Sequence, residues 1–228
     1  MAEEVIRVSG GERESLAESH IKEQVTSVLR SIEDEVRELM YMIRDLDEGK
    51  GVAVERRHSR IRNIKDNIEN FSINLMEYII RTAPVLTTKD VYASIVQNLH
   101  RVAEHLEAAA YRNLLLSSGE FTRMPDDVFA ILDGMVKKIL NMVDRLESMI
   151  SKVGRSDKQI RELYIELLKT ENSVDEYYRE AGIKTIKYYA NKDVGALILV
   201  KELFDKVEET ADLLMRVGTY IRYLSIQK

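Results

Sequence analysis

The stretch IKEQVTSVLRSIEDEVRELMYMIRDLDEGKG, residues 21–51, decides the fold. Its apolar residues fall at Ile21, Val25, Val28, Leu29, Ile32, Val36, Leu39, Met40, Ile43 and Leu46. Steps of three and four place them on one face of a helix, whereas a half-buried strand would alternate. The helix stops at Gly49-Lys50-Gly51, because glycine enters the left-handed conformation without a Cβ penalty. One long amphipathic helix cannot bury its own apolar face, so further helices must pack on it.

The same period continues outward. A second helix is predicted from about Val52 to Thr82, ended by Pro84. Thr87-Thr88-Lys89-Asp90 can start a third, which carries Val91, Ile95, Leu99, Val102 and Leu106 towards Leu114 and closes at Ser117-Ser118-Gly119. Pro125-Asp126-Asp127 opens a fourth, with proline in the first turn and acids at the positive end of the helix dipole. Its face reads Val128, Leu132, Met135, Ile139, Met142, Val143, Leu146, Met149 and Ile150. A fifth runs from Ser156-Asp157 to about Tyr189, and a sixth from Asn191-Lys192-Asp193 to Tyr223 or beyond.

The expected fold is all-α, six long helices as two tandem three-helix bundles. Residues 1–14 mix Gly10 and Gly11 with charges and show no period, so they read as a flexible N-terminus. The first three-helix unit spans 15–119 and the second 120–228, the two packed as one compact domain, with the boundary at Gly119–Met124. Lys-Asp-Val recurs at 89–91 and 192–194, at the start of the third and sixth helices, which supports a duplicated unit.

Composition agrees. Ten glycines and two prolines in 228 residues are too few for the many tight turns of a β-sandwich or barrel. The absence of cysteine removes disulfides, thiolate zinc sites, iron–sulfur clusters and cysteine nucleophiles. Net charge is −5, and residues 1–50 hold 13 acidic against 7 basic side chains, which argues against a nucleic-acid partner. Met-Ala-Glu-Glu is no signal peptide, and no apolar run approaches the roughly 20 residues of a membrane span. The expected location is cytoplasmic, with room for peripheral attachment at the inner face of the membrane.

One constellation can carry chemistry. Glu171 and Asp175 lie one turn apart on the fifth helix, and Asp205, Glu209 and Asp212 step by four and three on the sixth. Converging carboxylate rows on neighbouring helices suit a hard cation. The first half repeats the pattern with altered ligands. His100, Glu104 and Glu107 hold the same steps, and Glu69 precedes them, but Lys65 stands where Glu171 would have its partner. A chain with 39 acids has about seven acid–acid pairs at any fixed separation by chance, so a single pair is explained by a solvated helix face. The triad repeated in both halves goes beyond that expectation.

Leu99-His-Arg-Val-Ala-Glu-His-Leu-Glu and Phe204-Asp-Lys-Val-Glu-Glu-Thr-Ala-Asp resemble the signature helices of PhoU-like proteins. Leu168-Lys-Thr-Glu-Asn-Ser-Val-Asp-Glu-Tyr-Tyr-Arg is similar to the helix before them in that family. The resemblance covers residues 20–225 and lies in pattern more than in identical words. It implies a non-enzymatic, cytoplasmic, dimeric regulator of inorganic phosphate transport or phosphate signalling. It further implies iron, zinc or manganese at the acidic motifs, and a phosphate transporter or its regulatory partner at the membrane as the contact. Carried across, the better metal cluster is Glu171, Asp175, Asp205, Glu209 and Asp212; the weaker is Glu69, His100, Glu104 and Glu107, where His100 and Lys65 depart from the motif.

Two other readings of the acids stay open: a metal-dependent hydrolase or oxidase, and a plain helical scaffold. Glu55-Arg-Arg-His58 has the spacing of a di-iron motif, but that site needs a second copy, which the sequence lacks. Arg56, Arg57, Arg60 and Arg62 are expected to pair with Asp45, Asp47 and Glu48, or else to contact an anionic partner. No phosphate-cradling glycine loop or nucleophile–base set is present.

Overall fold

The computed structural model describes residues 16–82 and 88–227; the N-terminal segment 1–14, Pro84 and Thr87 lie outside them. Among the described residues there are six helices and no strand: α1 (Leu16–Asp47), α2 (Gly51–Thr82), α3 (Lys89–Ser118), α4 (Asp126–Lys152), α5 (Asp157–Tyr189) and α6 (Val194–Ile226).

Local chemistry sets the ends. Gly49 has φ +70°, and behind it the Lys50 amide donates to the Asp45 carbonyl at 2.8 Å, which closes α1. Gly154, at φ +77°, serves the same purpose after α4. Ser156 Oγ accepts from the Gln159 amide and caps α5. Asp193 does two jobs: one carboxylate oxygen accepts from the Ala196 amide at 2.8 Å, the other from the Thr122 amide at 2.7 Å. The cap of α6 thus also holds the segment joining the two units. Phe121 in that segment packs over Gly119 and Gly195, where its ring leaves no room for a Cβ, and Met124 is buried.

Helices α1, α3, α4 and α6 form the middle of the molecule, α1 against α4 and α3 against α6. Helix α2 packs on α1 and α3, and α5 on α4 and α6. Burial follows this layout. The inner helices hide wide faces, while α2 hides a narrow seam at Val54, Ile61, Ile68 and Leu75, and α5 one at Ile160, Leu167, Val174 and Ala181.

Those seams give the register of the duplication. Val54 matches Ile160 and Ile61 matches Leu167; on the inner helices Ile21 matches Val128, Ile32 Ile139 and Leu39 Leu146, while Leu99 matches Phe204 and Val102 Val207. In this register Lys89 corresponds to Val194, so the two Lys-Asp-Val tripeptides are not equivalent. Asp193 is the N-cap of α6, whereas Asp90 lies inside the first turn of α3, behind Thr88. One core position is chemically inverted between the halves: Glu35 on α1 stands where α4 has Met142, and both are 0% exposed.

Candidate metal centre

Midway along the α5–α6 pair, Glu171, Asp175 and Asp212 each offer a carboxylate oxygen, and the three oxygens lie within 4.8 Å of one another. The seam at Leu167 and Val174 turns the face carrying Glu171 and Asp175 towards α6, and the buried Ala211 and Leu214 bring Asp212 to meet it. All three are half-buried. Burial first, then the charges of Asp175 and Asp212, holds the Glu171 carboxyl above its ordinary range; Asp212 is raised by burial and by Asp175, against the opposing charge of Arg216. Three acids crowded in partial burial repel, and a cation relieves all three at once.

A fourth carboxyl lies within electrostatic reach of them. Glu208 is pushed up to about 7 by burial and by the charges of Asp212, Asp175, Glu209 and Asp205. The sequence pattern passed over it because Asp205, Glu209 and Asp212 already satisfied a four–three step. Its signal was its own place four residues before Asp212. The other two predicted residues of this cluster are engaged elsewhere. Asp205 accepts from the Tyr178 hydroxyl at 2.8 Å and from Lys201 at 2.7 Å, and the hydrogen bond to Asp205 raises the tyrosine to about 12. Glu209 turns to α3, 2.6 Å from the Lys206 ammonium and 2.9 Å from His105 Nδ1. Burial draws the His105 imidazole below its usual range despite that carboxylate.

The first half is arranged differently. In register, Lys65, Glu69, Ala103 and Glu107 occupy the places of Glu171, Asp175, Glu208 and Asp212. Lys65 Nζ donates to Glu69 at 2.8 Å and to Asp66 at 3.1 Å, which lowers the Glu69 carboxyl. Glu107 lies 3.2 Å from His58 Nε2. His100 Nε2 is 3.9 Å from Glu104, which is itself exposed, and His100 also acts electrostatically on Glu69. No three ligand atoms among the described residues of this half come as close together as the trio on α5 and α6.

The remaining motifs fall out as follows. Glu55 is exposed while His58 turns inward to Glu107, so the two make no joint site. Arg57 pairs with Asp45 as expected, but also with Glu38 at 3.0 Å, and Arg60 shares Glu38 at 3.5 Å. Asp47 is taken by Arg123 at 2.8 Å and Glu48 by Lys50. At that end of the bundle a cavity of about 440 Å³ is lined by apolar residues such as Ile43, Phe129 and Leu132 and by polar ones such as Asp47, Ser117 and Arg123. No helix among the described residues is long and apolar enough to cross a membrane.

The chain is a tandem three-helix bundle with an acidic trio on its second unit. No protein-family model matches the sequence, and no curated protein sequence matches it. Solved structures match the fold over nearly its whole length. PhoU from Streptococcus pneumoniae, described as a phosphate transport system regulatory protein, is 13% identical with a TM-score of 0.72, over 92% of this chain and 95% of that one. PhoU from Pseudomonas aeruginosa is 13% identical with a TM-score of 0.70, over 93% and 98%. A putative PhoU-like phosphate regulatory protein from Shewanella oneidensis MR-1 is 12% identical with a TM-score of 0.76, over 91% and 100%. The fold is therefore that of PhoU and PhoU-like proteins, as the resemblance of its acidic helices implied.

Proposed function

We propose that this chain is a PhoU-like regulator of inorganic phosphate transport or phosphate signalling, working without catalysis through a metal-loaded acidic face and protein contacts. The observation that carries the reading is the Glu171–Asp175–Asp212 trio on a fold shared with PhoU proteins. Its partner is a phosphate transporter or that transporter's regulatory component, met by a homo-oligomer of this chain at the inner face of the membrane.

The donor set is all oxygen. That suits manganese and iron, with zinc as the borderline case. Glu208 beside the trio supplies a fourth oxygen once it loses its proton. Metal binding here organises a surface; Arg179 and Lys201, which pair with Asp175 and Asp205, complete its charge pattern.

The test is metal content after gel filtration, with manganese, iron(II) and zinc offered separately. Wild-type protein should retain metal, and Glu171→Ala or Asp212→Ala should each lower the retained amount. Retention unaffected by both substitutions would show that the ion sits elsewhere. The regulatory step is read by phosphate uptake in cells lacking the chain, complemented by wild type and by Asp212→Ala.

A further inference from the structure

The outer edge of the α5–α6 pair departs from that of α2–α3 at one glycine. In the register of the buried seams, Gly182 stands where α2 has Met76, a half-buried side chain packed against the core. A Cβ at Gly182 would meet nothing within 4 Å among the described residues. Gly182 instead lines a pocket of about 130 Å³ between the two helices, together with Thr185, Ile186, Leu197 and Phe204.

Thr185 gives a second sign that something enters. It is 2% exposed, and its Oγ1 has no hydrogen-bond partner among the described residues. Helical threonines commonly donate to the carbonyl four residues back, as Thr170 does on α5 and Thr210 on α6. A buried hydroxyl without a partner is costly, and the matching residue of α2 is the apolar Ile79, which packs without that cost.

The banks of the pocket have changed in the same direction. Ile183, Val194 and Ile198 are exposed, at helical spacing from the lining residues, and the first half has Glu77, Lys89 and Ala93 at those places. Single exposed apolar side chains need no explanation, but these flank an opening on both helices. The charged side chains that line the pocket are both basic, Arg179 on α5 and Lys201 on α6. Each is largely exposed and paired along its own helix, with Asp175 and Asp205, and such pairs hold weakly.

We propose that this groove is the docking site for an acidic amphipathic helix of a partner protein, whose methionine side chain enters the pocket and takes the place that Met76 has in the first half. A methionine is unbranched and adapts to an irregular gap. Its sulfur is a weak acceptor for the idle Thr185 hydroxyl. The partner's apolar stripe covers Ile183, Ile186, Val194 and Ile198, and its acids face Arg179 and Lys201. This deepens the reading of the chain as a regulator that works through protein contacts, and rests on it, but does not depend on a bound metal.

The probe is an alanine-based helical peptide of about 18 residues, with one central methionine flanked by glutamates, added to ¹⁵N-labelled full-length protein without metal. Amide shifts are expected within residues 178–186 and 197–204. Gly182→Met should abolish them by closing the groove from within. That variant should fold and melt at a higher temperature, because its side chain enters open space and methionine is a better helix former than glycine. Replacing the peptide's methionine by glutamine, or its glutamates by lysines, should weaken binding by at least about tenfold. The proposal is overturned if about 1 mM peptide shifts nothing in the groove, if Gly182→Met binds it as wild type does, or if the lysine peptide binds equally well. Sedimentation equilibrium covers the other occupant: self-association of wild type that Gly182→Met abolishes would assign the groove to a second copy of the chain instead. Because the peptide is read without metal, a groove that takes no helix and a trio that holds no ion are separate outcomes.

Discussion

A carboxylate shut away from water with neither oxygen hydrogen-bonded costs on the order of 1–3 kcal/mol relative to a satisfied group, and Glu35 is in that position on α1. Burial holds its carboxyl well above the ordinary range, with Glu107 adding to the shift and Lys65 opposing it. Glu35→Met should therefore stabilise the metal-free chain by about 1–3 kcal/mol at pH 7, read as a later urea midpoint. The sign follows from proton counting. A raised folded-state pKa means that the native chain keeps a proton that the unfolded chain releases, so stability is intact in acid and lost as pH rises past the ordinary carboxylate value. The advantage of the methionine variant should accordingly shrink towards pH 4. This residue was legible in residues 21–51: three after Ile32 and four before Leu39, it is an acid on the apolar face. What the sequence could not show was which helix that face meets, and hence that the acid looks towards Lys65 and Glu107. A different contact was invisible altogether. A Cβ on Gly218 would come within 2.2 Å of Leu167 Cδ2, and Leu167 is fully buried. Gly218→Val should cost about 1–3 kcal/mol through forced repacking of the α5–α6 crossing, again measured by urea unfolding.

At the scale of helices, the three- and four-residue steps located all six because each is long and amphipathic, and a period sustained over eight turns leaves little ambiguity. The repeat was legible for the same reason, yet the tripeptide offered as its marker marks only the vicinity of two helix starts. Short words are placed by capping chemistry, whereas register is set by the buried seams, and these differ by two residues at α3 and α6. Asp193 shows what the capping position does. Its two backbone hydrogen bonds, the first from Ala196 and the next from Thr122, hold its carboxyl below the ordinary range. Asp193→Ala should lower the melting temperature at pH 7 and also expose the Gly119–Met124 segment to protease, because one side chain secures both. With a depressed folded-state pKa, its stabilising contribution is present above the ordinary aspartate value and lost as pH falls through the lower one. Wild type and variant should therefore converge in acid, in the same thermal melts.

At the scale of the whole molecule, the crowded acids of the second unit work against the contact that the apolar seams of α5 and α6 make. Composition registers only a small net charge, and the spacing of acids along two helices picks out the helices that carry the trio but not which oxygens come together. Asp205 and Glu209 satisfy the pattern and are drawn off by Tyr178, Lys201, Lys206 and His105, partners contributed by neighbouring turns and by α3. Glu208 breaks the pattern and lies within electrostatic reach of the trio. Because Glu208 is held at about 7, and Glu171 and Asp212 above their ordinary values, folding takes up protons on this face. Metal-free protein should thus lose stability as pH rises from the ordinary carboxylate range to about 7 and level off above it, as these groups are forced to ionise against one another. Glu208→Gln should flatten that decline, since it removes the largest of the three shifts while keeping the side chain's size. Saturating metal should oppose the decline in wild type, because an ion bound only by the native state stabilises it in proportion to its occupancy. Melting temperatures across pH 5 to 8, with and without Mn²⁺, measure all three curves. A decline that persists in Glu208→Gln and is indifferent to metal would mean that the repulsion lies outside the α5–α6 face.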